Sequence, residues 1–203
     1  MDKIELLVAT KNIKKLKEIK DILKGLSLKI TSLADYQGCP RIVENGRTFK
    51  ENALKKAVKI ARFTGKLTLG EDSGLCVDSL GGSPGIYSSR FSGKDKSDDK
   101  NNAKLLRLLG ELQLNKRSAH YVCAVALADS RGRVGVVEGK CNGLIGFELK
   151  GKNGFGYDPL FIIPRYKKTF AQLSPAVKHR ISHRYRALKK ARALLNPYLK
   201  RNS

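Results

Sequence analysis

Glu71 and Asp72 stand side by side in the segment LTLGEDSG, residues 67–74, with apolar chain before them. Two carboxylates in such a setting are costly unless a cation or hydrogen-bond donors satisfy them. Magnesium suits a site of this kind, because it takes few protein carboxylates and completes its shell with water and phosphate oxygens. The segment reads as a short strand, Leu67–Gly70, that ends in the acidic turn. In open α/β sheets, ligands collect beyond the carboxyl ends of the strands. A capped turn with solvated acids fits the same residues, but the placement favours a metal.

Four further segments carry chemistry-bearing residues. Thr10-Lys11-Asn12-Ile13-Lys14-Lys15 lies where a strand meets a helix. A helix N-terminus offers free N–H groups and a positive dipole end to phosphate, and Thr10, Asn12 and Lys15 add polar groups and charge. A plain cap with solvated lysines fits equally well. Gly81–Phe91, GGSPGIYSSRF, is a turn-rich loop in which Arg90 suits either a phosphate or a scaffold ion pair. Gly154-Phe155-Gly156-Tyr157-Asp158-Pro159 puts an aromatic between two glycines. Such a ring offers a base a stacking face, the alternative being a core aromatic in a tight loop. Ser182-His183-Arg184 follows Lys178 and pairs two donors suited to a keto oxygen, or two surface residues of a basic helix.

The elements that must position these segments follow from periodicity. Ile4–Ala9 reads as a buried strand and Asn12–Leu23 as a helix with Ile13, Leu16, Ile19 and Leu23 on one face. Leu28–Leu33 is a second strand. Thr48–Phe63 is a helix, with Thr48 as N-cap and Glu51 at capping-box spacing. Asp98–Leu109 is a third helix. Ala119–Ala128, apolar throughout, is a central strand, and Asp129-Ser130-Arg131-Gly132 turns it into Arg133–Val137. Leu160–Ile163 is a further strand. Ser174-Pro175 opens a helix with a break near Ser182, and Asn196-Pro197 is expected to end it. The order predicts an α/β fold with a mixed sheet, in one domain spanning 1–203 that is split into two lobes.

The 203 residues carry a formal net charge of +23, and no Asp or Glu occurs from Pro159 to Ser203. This surface draws polyanions, whether nucleotide or nucleic acid. Nucleic-acid binding by itself accounts for neither the acidic pair nor GFGYDP, and no helix-turn-helix, zinc-finger or RNA-binding signature is present, so no specific nucleic-acid partner is expected. No stretch approaches the roughly 20 apolar residues of a membrane span, and the start shows no secretory leader, so a cytoplasmic location is expected. Cys39, Cys76, Cys123 and Cys141 form no C-x-x-C pair and read as reduced core thiols.

Taken in order, these segments resemble the inosine triphosphate pyrophosphatase family, the nonstandard purine NTP pyrophosphatases. EDSGLCVDSLGGSPGIYSSRFSG is the most specific stretch, and GFGYDPLF and SHR reinforce it. The resemblance implies an α/β fold with a mixed twisted sheet and two lobes around a central nucleotide-binding cleft. It also implies a homodimer, magnesium dependence, and cleavage of ITP, dITP and XTP between the α and β phosphates. It places phosphate contacts on Thr10, Lys11, Asn12 and Lys15, and a lysine of the second helix on Lys56. Metal ligands fall on Glu44, Glu71 and Asp72, with Asp72 also the general base and Ser73 at a substrate contact. The base pocket falls on Phe155, Gly156, Tyr157, Asp158, Lys178, His183 and Arg184, with His183 and Arg184 reading the 6-keto oxygen. Lys11 stands where the family usually has glycine, which would strain the chain if that position needs positive φ. Glu71 stands where many members have Asp. A pyrophosphatase of modified pyrimidine triphosphates and a family member that only binds are the other readings.

Overall fold

A computed structural model describes residues 3–200. Strand β1, Ile4–Val8, and helix α1, Ile13–Leu23, come first; β2 is Leu28–Ser32 and α2 is Phe49–Thr64. Strand β3, Thr68–Val77, precedes α3, Asp98–Leu109. The long strands β4, Ser118–Asp129, and β5, Gly132–Ile145, are joined through Ser130-Arg131. Short strands β6, Phe161–Ile163, and β7, Lys168–Thr169, lead to helices α4, Pro175–Ile181, and α5, His183–Lys200. The sheet order is β2-β1-β3-β4-β5-β6-β7. Strand β1 pairs parallel with β2 and β3, with Leu7 opposite Thr68, whereas β6 pairs antiparallel with β5 and β7, which makes the sheet mixed.

The chain forms two compact units. Unit 1 comprises the chain up to Asp72, Cys123–Gly139 and the chain from Arg184 onward; unit 2 comprises Ser73–Val122 and Lys140–His183. In unit 1 the apolar run of β1 is explained by burial on both faces. Leu6 and Val8 pack with Ile19, Ile22 and Leu23 of α1 and with Ala187, Leu188, Ala191 and Leu195 of α5. Leu7 and Ala9, pointing the other way, pack with Ile60 of α2 and Leu33. Each fully buried Leu or Ile is worth about 1.5–3 kcal/mol, so a one-residue slip of β1 would exchange two well-filled faces.

Unit 2 is built around Leu75, Val77, Leu105, Leu109, Tyr121, Phe161 and Phe170. Arg117, fully buried there, closes the end of α3 onto the sheet. Its guanidinium donates to the carbonyls of Leu112, Gly146 and Gly110 and lies 4.3 Å from the Phe147 ring. Three backbone acceptors stand in for a carboxylate, and burial lowers the arginine's pKa.

Three expectations are corrected. Strand β3 does not end at Gly70 but runs through Glu71-Asp72-Ser73-Gly74 to Val77. The buried acids remain in the strand because side chains from α1, α2 and α5 satisfy them. Helix α5 continues past Pro197 to Lys200. The carbonyl four residues earlier, on exposed Ala193, loses its helical donor to water at little cost. At the start of α2, Thr48 caps Glu51 N–H as predicted, but the Glu51 carboxylate accepts from Arg47 N–H, so the reciprocal half of the box is absent.

Candidate active site

Alternation along β3 decides the geometry of unit 1. Leu69 packs into the α1/α5 side of the sheet, and Glu71, two residues on, projects the same way. Its Oε1 accepts from Arg184 Nη2 at 3.1 Å and from the Cys123 thiol at 3.3 Å, while Oε2 pairs with Lys15 Nζ at 2.9 Å. Arg184 also donates to Glu18 of α1. Two carboxylates, Glu18 and Glu71, thus meet two cations, Lys15 and Arg184. Burial alone would lower the Arg184 pKa, but Glu71 and Glu18 outweigh it and hold the guanidinium firmly charged. Burial, then the Glu71 charge, pushes the Cys123 thiol well up, so it stays protonated.

Gly70 and Asp72 face α2. A Cβ on Gly70 would lie 2.1 Å from the carbonyl oxygen of Ala53, so the helix sits directly on the strand's backbone. That close approach brings Asn52 and Lys56, one helical turn apart, onto Asp72. Lys56 Nζ lies 2.9 Å from Asp72 Oδ1, 3.0 Å from the Glu71 carbonyl oxygen and 3.2 Å from Glu44 Oε2. Asn52 Nδ2 donates to Asp72 Oδ2 at 3.2 Å, and Asn52 Oδ1 accepts from Gly46 N–H, tying down the loop that carries Glu44. Burial opposes the Lys56 charge, but Asp72 and then Glu44 raise its pKa above the ordinary value. Burial also raises the Asp72 pKa, and Lys56 and Lys15 offset this only in part. A carboxylate with raised proton affinity is a better base near neutrality.

Glu71 and Asp72, expected together on one metal, face different partners in this structure. Glu71 is committed to Arg184, Lys15 and Cys123, whereas Asp72 shares Lys56 with Glu44. On the α2 side the carboxylates of Asp72 and Glu44 converge on the Lys56 ammonium and offer hard oxygen donors. Among the described residues no cluster of three or more His, Cys, Asp or Glu forms a metal cage. A two-carboxylate oxygen set fits magnesium, which keeps water and phosphate oxygens as its remaining ligands.

Asn12 caps α1: its Oδ1 accepts from Lys15 N–H at 3.1 Å, and Asn12 N–H donates to Thr10 Oγ1. Lys11 is exposed and, unlike Lys96 and Lys167, has no positive φ, so the residue in place of the family's glycine is unstrained. With Lys15 and Lys56 these residues give unit 1 a cationic strand-to-helix turn suited to phosphate oxygens.

Unit 2 holds the second set. The Gly154–Asp158 loop is folded on itself: Asp158 Oδ2 accepts from Phe155 N–H at 2.9 Å and from Lys178 Nζ at 2.6 Å. Gly154 has φ +79°, and a Cβ there would meet Asp158 Oδ2 at 2.0 Å. Phe155 is half-buried, with Lys178 Nζ 5.0 Å from its ring. Tyr157 is a core residue whose hydroxyl donates to Ser88 O at 2.8 Å, so its side chain braces the loop. His183 is buried, its ring stacked on Tyr121 at 4.6 Å. Ser73 is the first residue of this unit, and Arg90 lies over the Tyr87 ring.

Arg184, expected to read the base with His183, donates to Glu18 and Glu71 of unit 1. Successive residues of a helix point about 100° apart, so the two neighbours serve different surroundings. Sequence reasoning missed Glu18, Asn52 and Cys123. Glu18 sits three residues after Lys15 and Asn52 four before Lys56, spacings that put each pair on one helix face.

Residues 6–194 match the model of the Ham1 family. A dITP/XTP pyrophosphatase of Desulforamulus reducens is 49% identical over 95% of this chain and 96% of its own. The structure of a HAM1 protein from Coxiella burnetii superposes with a TM-score of 0.86 at 37% identity, covering 96% of this chain and 99% of that one. A nucleoside-triphosphatase / dITP/XTP pyrophosphatase from Mycobacterium abscessus gives 0.75 at 40% identity, over 92% and 97%. With the match running over nearly all of its length, this chain belongs to the Ham1 family, in keeping with its resemblance to the inosine triphosphate pyrophosphatases.

Proposed function

We infer that this protein hydrolyses nonstandard purine nucleoside triphosphates, dITP, ITP and XTP, to the monophosphate and pyrophosphate. The observation that carries this reading is the Glu44–Lys56–Asp72 arrangement beside the cationic turn of α1 in unit 1. Magnesium, held by Glu44 and Asp72, supplies neutralisation of polyphosphate charge when bound. Thr10, Lys11, Asn12 and Lys15 hold phosphate oxygens, and Lys56 adds a fixed positive charge that needs no reorganisation during the reaction. Asp72 orients a water molecule and takes its proton as the water oxygen bonds to the α-phosphorus. The α–β bridging P–O bond breaks, and pyrophosphate leaves with the electron pair. Glu71 keeps Lys15 and Arg184 in place.

Unit 2 supplies the base contacts. Phe155 stacks on the purine, and His183, held flat by Tyr121, donates to the 6-keto oxygen. ATP sets an amino donor against that donor and is disfavoured. Removing deaminated purine triphosphates keeps them out of DNA and RNA, a role exercised in the cytoplasm. No helix among the described residues is long and apolar enough to cross a membrane.

The protein acts as a homodimer. In support, unit 1 exposes a groove of about 760 Å³ in which Ile42, Val43, Leu54, Val58 and Phe63 form an apolar floor beside Lys55, Lys59 and Arg62, and exposed apolar surface of this kind marks association sites.

The test is a panel of ITP, XTP and ATP, with pyrophosphate release followed in magnesium and in EDTA. ITP and XTP should be cleaved at least about 100-fold faster than ATP, in magnesium alone. Equal rates on ITP and ATP would remove His183 from base reading.

A further inference from the structure

The aromatic loop of unit 2 is gripped by a helix that none of the substrate contacts comes from. Helix α3 is rooted in the core through Leu105 and Leu109, both fully buried. Its N-terminal end carries Asp98, Asn101 and Asn102. Gly156 N–H donates to Asp98 Oδ2 at 2.8 Å, and the Gly156 carbonyl accepts from Asn102 Nδ2 at 3.0 Å. Gly156 belongs to no helix or strand, so these two side chains replace the backbone partners that secondary structure would give it. Asn102 is 3% exposed, and its Oδ1 has no donor. The side chain is thus committed to the loop through its amide N–H alone. The neighbouring Asn101 accepts from Ser92 N–H at 2.7 Å and donates to Ser89 O, holding the end of the GIYSSRF segment. That segment in turn receives the Tyr157 hydroxyl at Ser88 O. Asp98 and Asn102 thus hold Gly156 itself, and the Tyr157 hydroxyl ties the next residue to the segment that Asn101 anchors.

We propose that Asp98 and Asn102 are positioning residues for base recognition: by taking both backbone polar groups of Gly156 they fix the face that Phe155 offers to the purine. The inference rests on the reading that Phe155 stacks on the base. It assigns the acidic-amide start of α3 to affinity for the nucleoside half of the substrate, apart from the polyphosphate half. Loss of either contact weakens binding of the purine in ground state and transition state alike, which raises KM and spares kcat.

Two isosteric variants separate this role from simple packing. Asp98→Asn keeps an oxygen acceptor for Gly156 N–H, so KM for dITP should stay within about twofold. Asn102→Asp sets a carboxylate oxygen against the Gly156 carbonyl, and KM should rise about tenfold with kcat within about twofold. Inhibition by inorganic tripolyphosphate, which has no base, should be unchanged in both. Phe155→Ala is the control for the underlying reading and should raise KM about tenfold. An unchanged KM in Phe155→Ala sinks the stacking reading itself. A raised KM in Phe155→Ala with an unchanged KM in Asn102→Asp sinks this inference alone, as does a fall in kcat or a weakened tripolyphosphate inhibition. If Asn102→Asp does not fold, Asp98→Ala against Asp98→Asn decides: only the alanine variant should lose dITP affinity, and equal KM values overturn the proposal.

Discussion

Replacing Lys56 by Met removes the one ammonium that Asp72 and Glu44 share while keeping the aliphatic stem. At 2.9 Å, the Lys56–Asp72 attraction is about 5–6 kcal/mol with an effective dielectric near 20. Breaking a buried pair on one side typically costs about 3–5 kcal/mol, because the remaining charge stays uncompensated. Asp72 has an escape, which is to bind a proton. Neutralising a carboxyl costs about 1.36 kcal/mol per pH unit above its unfolded pKa near 3.9, which caps the loss at about 4 kcal/mol at pH 7 and about 1.5 kcal/mol at pH 5. The sign follows from linkage: with a raised folded-state pKa the native state holds the proton that the unfolded chain has released, so stability falls as pH rises. Urea unfolding in EDTA should therefore show Lys56→Met about 3–4 kcal/mol below the parent at pH 7 and much closer to it at pH 5. In the double variant Lys56→Met/Asp72→Asn most of the loss at pH 7 should return. A deficit that is the same at both pH values, or that the second substitution deepens, would refute the shared-ammonium reasoning.

Asp72→Asn should lower kcat by about 10²–10⁴-fold, the usual worth of a general base, in a folded protein that still binds nucleotide by calorimetry. Wild-type turnover would remove Asp72 from the mechanism. Tyr36→Phe tests a carboxylate outside the site. The Tyr36 hydroxyl and then Lys66 hold the Glu5 pKa below its ordinary value. That stability is present above about pH 4.3 and lost as pH falls through the lower folded-state pKa. The variant should be about 1 kcal/mol less stable at pH 7, and the gap should close as pH falls through that lowered folded-state pKa. A gap independent of pH would show that the hydroxyl's bond to Glu5 is not its source. Phe63→Glu, placed in the apolar groove of unit 1, should convert a dimer to monomer by light scattering, and an unchanged mass would move the dimer contact elsewhere.

Much of the scaffold was legible because it is written in local periodicity. The double-sided burial of β1, the Leu16, Ile19 and Leu23 face of α1, the Thr48 cap and the break at Ser182 all follow from residues within a few positions of one another, whereas Ile13, expected on that face, is 80% exposed at the start of the helix. The acidic segment was legible as chemistry and misread as geometry. Glu71 and Asp72 looked like a turn because two buried acids inside a strand are unfavourable alone. Their cations lie 15 to 113 residues away in sequence, and no local pattern announces them. The same distance hid Glu18, 166 residues from Arg184, and Asn102, 54 residues from Gly156. Resemblance to a family carried Glu44 and Lys56 to their positions, and the structure supplied the reason they belong together. It also gave Arg184 the partners Glu18 and Glu71, which its place beside His183 in the sequence does not suggest.

The chemical claim is narrowest at the bond that breaks. Incubating dITP with the protein in magnesium and separating the products should give dIMP and pyrophosphate in equal amounts, with no reaction in EDTA. Formation of dIDP and orthophosphate, or turnover that ignores the chelator, would contradict it.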